Sequence, residues 1–273
     1  MKLAPVIVLA ALTACHRSGD DKKPAPTPSA TTVPQAPPLV VASDPSLERK
    51  PKIAVYERDP WAMVIGSEVP AVVVYDDGTV IRKQREGHVE APKALIDRVS
   101  SELLPVAERQ SIYGATDQPT TTIVVDTGKG WILRSVYGMA PGCRAKGRDK
   151  AATGFQSACE ALRDLKLSGE HAYHPETLEV MLWGYEHAPG DPKPWPASLP
   201  EPPKVAPPES GTVKHRIPGR YQSELDAFLG SLASRQPVGF NGHKWSVAYR
   251  VAVPGDVYLY KVQQELGRAR SKR

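Results

Sequence analysis

The sequence predicts an α+β fold, an antiparallel sheet built from hairpins with helices on one face, preceded by a disordered proline-rich tether. Three observations predict it. A hairpin followed by a helix occurs twice between Val69 and Leu167, the apolar residues of those segments alternate or recur at helical spacing, and the prolines cluster outside them.

The first hairpin is read from Ala71-Val72-Val73-Val74-Tyr75 and Val80-Ile81-Arg82-Lys83, joined by Asp76-Asp77-Gly78-Thr79, where Asp before Gly suits a tight turn. Pro92 then fits the first turn of a helix whose Leu95, Ile96, Val99 and Leu103 share one face, ending near Pro105. The second hairpin pairs Thr121 to Val125 with Trp131 to Tyr137 around Asp126-Thr127-Gly128-Lys129-Gly130. A helix from Phe155 to Leu167 follows, with Phe155, Ala158, Cys159, Leu162 and Leu165 inward, and then a strand from Thr177 to Tyr185. Further on, Tyr221 to Ser234 reads as a helix burying Leu225, Phe228, Leu229 and Leu232. Asn241-Gly242 marks a turn, Trp245 to Val253 a strand, and Pro254-Gly255-Asp256 precedes Val257-Tyr258-Leu259-Tyr260.

Eight of the 28 prolines lie between Pro24 and Pro51 and ten between Pro189 and Pro218. The expected organisation is therefore a leader over 1–15, a tether over 16–52, an α+β domain over 53–187, a proline-rich strap or linker over 188–218, a C-terminal helix-plus-strands element over 219–262 and a basic tail over 263–273. The tether lacks aromatic residues and periodicity and should extend by at most about 3.1 Å per residue. Trp195, between Pro194 and Pro196, is read as the anchor of the strap, with an exposed partner contact as the other possibility.

The leader has a layout of its own. Lys2 precedes an apolar run from Leu3 to Leu12 that at about 1.5 Å per residue is too short for roughly 30 Å of hydrocarbon, so it reads as a signal core, not a transmembrane helix. Leu12-Thr13-Ala14-Cys15 resembles the lipobox of bacterial lipoproteins. That resemblance implies cleavage before Cys15, lipidation of its thiol, and a place in the cell envelope. His16 after the cysteine resembles an outer-membrane destination in the enteric sorting pattern. The hairpin around Asp76-Asp77-Gly78, Asp117-Gln118-Pro119-Thr120-Thr121 and Trp195-Pro196 also resemble features recurring in uncharacterised bacterial secreted proteins over roughly 69–200, a likeness that implies no activity.

With 273 residues, 24% charged and 41% hydrophobic, the chain is long enough to bury a sizeable core. The net charge of +5 falls to +4 once Lys2 leaves with the leader, a modest excess, and the compartment disfavours nucleic acid as a partner. With Cys15 lipidated, Cys143 and Cys159 remain as an even pair in an oxidising compartment and are expected to form a disulfide, worth roughly 3 kcal/mol in the chain-entropy account. A nucleophilic cysteine is the alternative, but no obvious base stands beside either residue in the sequence.

Chemistry-bearing motifs are few. His171, His174 and Glu176 are close enough in sequence to contribute to a zinc site, though without the helical spacing of His-Glu-x-x-His; a solvated loop is the plainer reading, and no cofactor is expected otherwise. Asp76 and Asp77 could act as coupled acids, but turn chemistry accounts for them more simply. Arg144, Lys146, Arg148 and Lys150 alternate within the expected disulfide loop and form a candidate anion-binding patch for lipid phosphate, an acidic glycan or an acidic envelope protein; Arg268, Arg270, Lys272 and Arg273 make a similar tail expected to fray. Signatures of serine hydrolases and phosphate loops are absent from the sequence. The expectation is a membrane-anchored binding or scaffolding protein, with a periplasmic metal-dependent hydrolase as the alternative.

Overall fold

The computed structural model describes residues 38–42, 47–58, 60, 69–112, 116–140, 142–145, 153–209 and 211–271. All of them fall in one compact unit, Gln35–Arg273. Cys15, Lys146, Arg148 and Lys150 lie outside the described residues.

The larger sheet has eight strands: β1 (Pro51–Arg58), β2 (Val72–Tyr75), β3 (Thr79–Arg82), β4 (Arg85–His88), β5 (Arg109–Ser111), β6 (Thr120–Asp126), β7 (Trp131–Tyr137) and β10 (Ser168–Ala172). Their spatial order is β10-β4-β3-β2-β1-β6-β7-β5. Every pairing is antiparallel except β5 with β7. A small hairpin, β8 (Met139–Ala140) and β9 (Arg144–Ala145), follows β7.

Both expected hairpins are present, β2–β3 and β6–β7, and each is followed by a helix, α1 (Pro92–Leu103) and α2 (Thr153–Arg163). Pro92 starts α1 in its first turn, where a missing N–H costs nothing. Leu95, Val99 and Leu103 of α1 and Phe155, Ala158 and Leu162 of α2 pack on Ile53, Val55, Val72, Val74, Ile123 and Val125 of one sheet face. The helices approach closely: a Cβ on Gly154 would lie 2.2 Å from the Glu102 carbonyl oxygen. The Cys143–Cys159 disulfide, with Cα atoms 5.8 Å apart, ties α2 to the segment after β8 within this same core.

Arg134, 2% exposed, projects from β7 into that layer. Its Nε donates to the Leu103 carbonyl at 3.1 Å and its Nη2 to that of Leu104 at 3.5 Å. These are acceptors at the C-terminal end of α1, the negative end of the helix, so the buried cation meets complementary charge.

The expected antiparallel α+β arrangement holds, with α1 and α2 together on one face, and the structure adds a third layer. Val257 to Tyr260 are not a strand but the start of α4 (Asp256–Ser271), whose Leu259, Val262 and Leu266 cover Ala54, Val73, Val124 and Leu133 on the opposite face. Of the C-terminal residues expected to fray, Arg268 and Arg270 belong to the last part of this helix, and Lys272 and Arg273 lie outside the described residues. The tether likewise ends before residue 52: Leu39 exchanges two backbone hydrogen bonds with Trp131 (2.9 and 2.7 Å), Val41 is buried against the same face, and β1 begins at Pro51.

A second sheet runs β12-β14-β15-β11-β13, with β11 (Thr177–Gly184), β12 (Lys193–Pro194), β13 (Val213–Pro218), β14 (Val238–Phe240) and β15 (His243–Val251). The proline-rich strap therefore supplies two strands, β12 and the end-piece β13. One face packs Leu178, Val180, Leu182, Ile217 and Trp245 against Leu225 and Phe228 of α3 (Gln222–Gly230). Trp195 is an anchor, as expected of the strap: its ring lies edge-on to Phe228 and Phe240 and its indole N–H donates to Pro200 O at 3.2 Å.

On the reverse face of β11 sits Glu179, 2% exposed. Register places it between Arg250 of β15 and Arg216 of β13. It accepts from Arg250 Nε at 2.9 Å, lies 3.0 Å from Lys214 Nζ and 3.6 Å from Arg216 Nη2, and Arg250 is also 3.5 Å from Asp256 at the start of α4. Burial pushes the Glu179 carboxyl up, but hydrogen bonds from Arg250 and Lys214 outweigh it and the net shift is downward.

Candidate functional site

The face of the larger sheet that carries α4 changes character along its strands. Where Leu259, Val262 and Leu266 press on it the sheet residues are Ala54, Val124 and Leu133. One step of two residues further along, the facing row is Tyr56, Thr122, Ser135 and Arg109, and the next row contains Arg58, Thr120 and Tyr137. Alternation puts these side chains on the same face as the apolar row, past the end of its contact with the helix.

The result is a cavity of about 840 Å³. Its floor is Tyr56, Arg58, Thr120, Thr122, Ser135, Tyr137 and Arg109; its other wall is one stripe of α4, with Tyr260, Gln264 and Arg268 spaced four apart beside Gln263 and Gly267. The volume is in the range of small-ligand sites, roughly 300–1,000 Å³.

Charge distinguishes this cavity from the rest of the surface. Three arginines, Arg58, Arg109 and Arg268, line it, and among the described residues no Asp or Glu does. None of the three forms an ion pair with a described carboxylate, whereas Arg49, Arg82, Arg85, Arg163, Arg216 and Arg250 all do. The floor is ordered by its own hydrogen bonds: Thr122 and Ser135 hydroxyls lie 3.0 Å apart, Tyr137 Oη accepts from Gln118 N–H at 3.0 Å, and Tyr56 is hydrogen-bonded to Gln263 of α4. Burial holds the Tyr56 hydroxyl protonated well above the ordinary phenol range. Arg58 and Arg109 start from backbone positions on strands three spacings apart, about 14 Å. Cations on both banks, a cation overhead and hydroxyls between them suit an anion that extends across the strands.

The residues singled out from the sequence are placed elsewhere. Cys143 and Cys159 are joined, as expected, and are structural. Arg144 is in β9, and its companions lie outside the described residues. His171 lies on the exposed edge strand β10, its Nδ1 2.8 Å from Gly169 O and its Nε2 3.9 Å from a Glu86 carboxylate oxygen. His174 and Glu176 line a different cavity, beside Arg49, Arg216 and Asp256. Among the described residues, His171, His174 and Glu176 included, no three His, Cys, Asp or Glu side chains gather closely enough to hold a metal ion.

Asp76 and Asp77 serve the turn: Asp77 Oδ1 accepts from Thr79 N–H at 2.8 Å and Asp76 Oδ1 from Lys50 N–H at 3.0 Å. Asp117 occupies a loop with φ of 60°.

Arg58, Arg109, Gln263 and Gln264 were not legible as site residues. The one available signal was the hydroxyl-bearing alternation Thr120, Thr122 on β6 against Ser135, Tyr137 on β7, which marks a face that leaves the core before the strands end. Compared with protein-family models, with curated proteins and with solved structures, the chain gives no significant match.

Proposed function

We propose that this chain is an exported lipoprotein, anchored through Cys15 to a bacterial membrane, most simply the outer one, whose folded unit is a binding module for an anionic component of the envelope. The single observation that supports the binding reading is the cavity between β1, β6, β7, β5 and α4, with three arginines and, among the described residues, no lining carboxylate. Guanidinium groups without a described carboxylate partner present forked donors that match carboxylate or phosphate oxygens. The sequence Leu12-Thr13-Ala14-Cys15 supports the anchor, and the proline-rich stretch after it supplies reach, raising the local concentration of the module near its target.

Two measurements test the two halves. Intact mass of the protein from the membrane fraction should show loss of residues 1–14 and added acyl chains, and Cys15→Ser should leave that fraction; an unacylated wild-type chain would end the anchor reading. For the binding half, an arginine-selective reagent followed by peptide mapping is applied with and without anionic envelope material. Slower modification of Arg58, Arg109 and Arg268, with Arg85 unchanged, is expected. Equal rates at all four would overturn it.

A further inference from the structure

The groove also carries information about the class of its ligand, an inference that rests on the binding reading above. We propose that it takes an acidic glycan: a sugar chain bearing anionic groups, lying across β1, β6, β7 and β5 beneath α4, with its charges met by Arg58, Arg109 and Arg268.

Three features point to a sugar chain over other anions. The surface between the arginines is made of hydroxyls and amides, Thr120, Thr122, Ser135, Gln263 and Gln264, each able to donate and to accept, as sugar hydroxyls require. A bare phosphate or carboxylate would use only the cations. Tyr260, 60% exposed on the helix wall, adds ring surface suited to the C–H face of a pyranose. Among the described lining residues Leu133 is the one aliphatic side chain, which offers little to an acyl chain.

An acidic peptide fits less well. Most of the floor is the face of β1, β6 and β7, each paired on both sides, and the described helix wall offers no apolar stripe for a partner helix. Gly267 adds room: a Cβ there would meet no described atom within 4 Å, so the helix wall is open at this position of the lining. The same vacancy supplies a probe, since a large side chain at residue 267 fills the groove without altering charge.

The test uses the full-length protein in detergent micelles and titration calorimetry with four probes: a short oligouronate, a neutral oligosaccharide of equal length, inorganic phosphate and an oligo-aspartate. The oligouronate should bind, more weakly as salt rises, and the neutral sugar should not. Arg58→Ala and Arg109→Ala should each weaken binding on the order of tenfold, the scale of one charged hydrogen bond. Gly267→Phe should abolish it, with the thermal midpoint of each variant measured to show that it is folded. Absence of oligouronate binding, equal binding of the neutral sugar, or insensitivity to all three substitutions overturns the proposal. Phosphate or oligo-aspartate binding as tightly as oligouronate, and dependent on Arg58 and Arg109, also ends the glycan assignment while leaving the anion-binding reading intact. Binding of none of the four anionic or neutral probes through those arginines ends both.

Discussion

Replacing Glu179 by Ala removes the carboxylate that joins β11 to both neighbouring strands, and the structure sets the expected cost. Lys214 and Arg216, with side chains 51% and 57% exposed, are pairs of the solvent-screened kind, worth at most about 1 kcal/mol each. Arg250 is different, because its side chain is 11% exposed and that of Glu179 is 3%. Breaking one side of a buried pair typically costs about 3–5 kcal/mol, since the remaining charge stays desolvated. Asp256, 3.5 Å from Arg250, remains as a partial substitute partner and places the expectation near the lower end, about 3 kcal/mol. In urea, with a slope of about 2–3 kcal/mol per molar, the midpoint should fall by about 1 M.

The same carboxylate gives a pH signature whose sign follows from its lowered pKa. A depressed folded-state value contributes stability above the ordinary value of 4.5, and that stability is lost as pH falls through the folded-state value. The gap between wild type and Glu179→Gln should therefore be full at neutral pH and narrow in acid. A loss below about 1 kcal/mol, or a cycle with Arg250→Met in which the two substitutions simply add, would refute the argument.

Three further outcomes are expected. Reducing the Cys143–Cys159 bond, or replacing both by Ala, reopens a separation of 16 residues and should cost about 3 kcal/mol, lowering Tm by roughly 6–12 °C in a scan. Gly154→Ala gains about 1 kcal/mol of helix propensity but drives a Cβ to 2.2 Å from the Glu102 carbonyl, so overpacking of about 1–3 kcal/mol should prevail and the urea midpoint should fall. Gly267→Ala, with open space around the added methyl, should raise stability by about 0.4–1 kcal/mol and move the urea midpoint upward; the same sign at both glycines would show that the close approach of α1 and α2 is wrong.

The legible parts of the fold were those in which local chemistry and burial agree. Asp76-Asp77-Gly78 joins β2 to β3, Pro92 opens α1, and the even pair of thiols is joined. Less legible were strands carried by proline-flanked sequence. β1 begins at Pro51, whose missing N–H is tolerated at the first position of a strand, and β13 lies inside a stretch whose composition reads as a linker. The run Val72-Val73-Val74-Tyr75 did carry an unused signal, since four consecutive buried residues require cover on both faces of a sheet. The second cover is α4, whose Leu259, Val262 and Leu266 keep helical spacing behind the turn at Pro254-Gly255.

What the sequence determined by itself was local: the turns, the helical and alternating stripes, the even pair of thiols. Each depends on residues within a few positions of one another. Tertiary structure alone decided that Arg58, Arg109 and Arg268, from two strands at different places in the sheet and a helix at the far end of the chain, line one cavity. The physical reason is that strand register and helix placement are fixed by burial of apolar rows, and the polar rows beyond them come together only as a consequence of that packing.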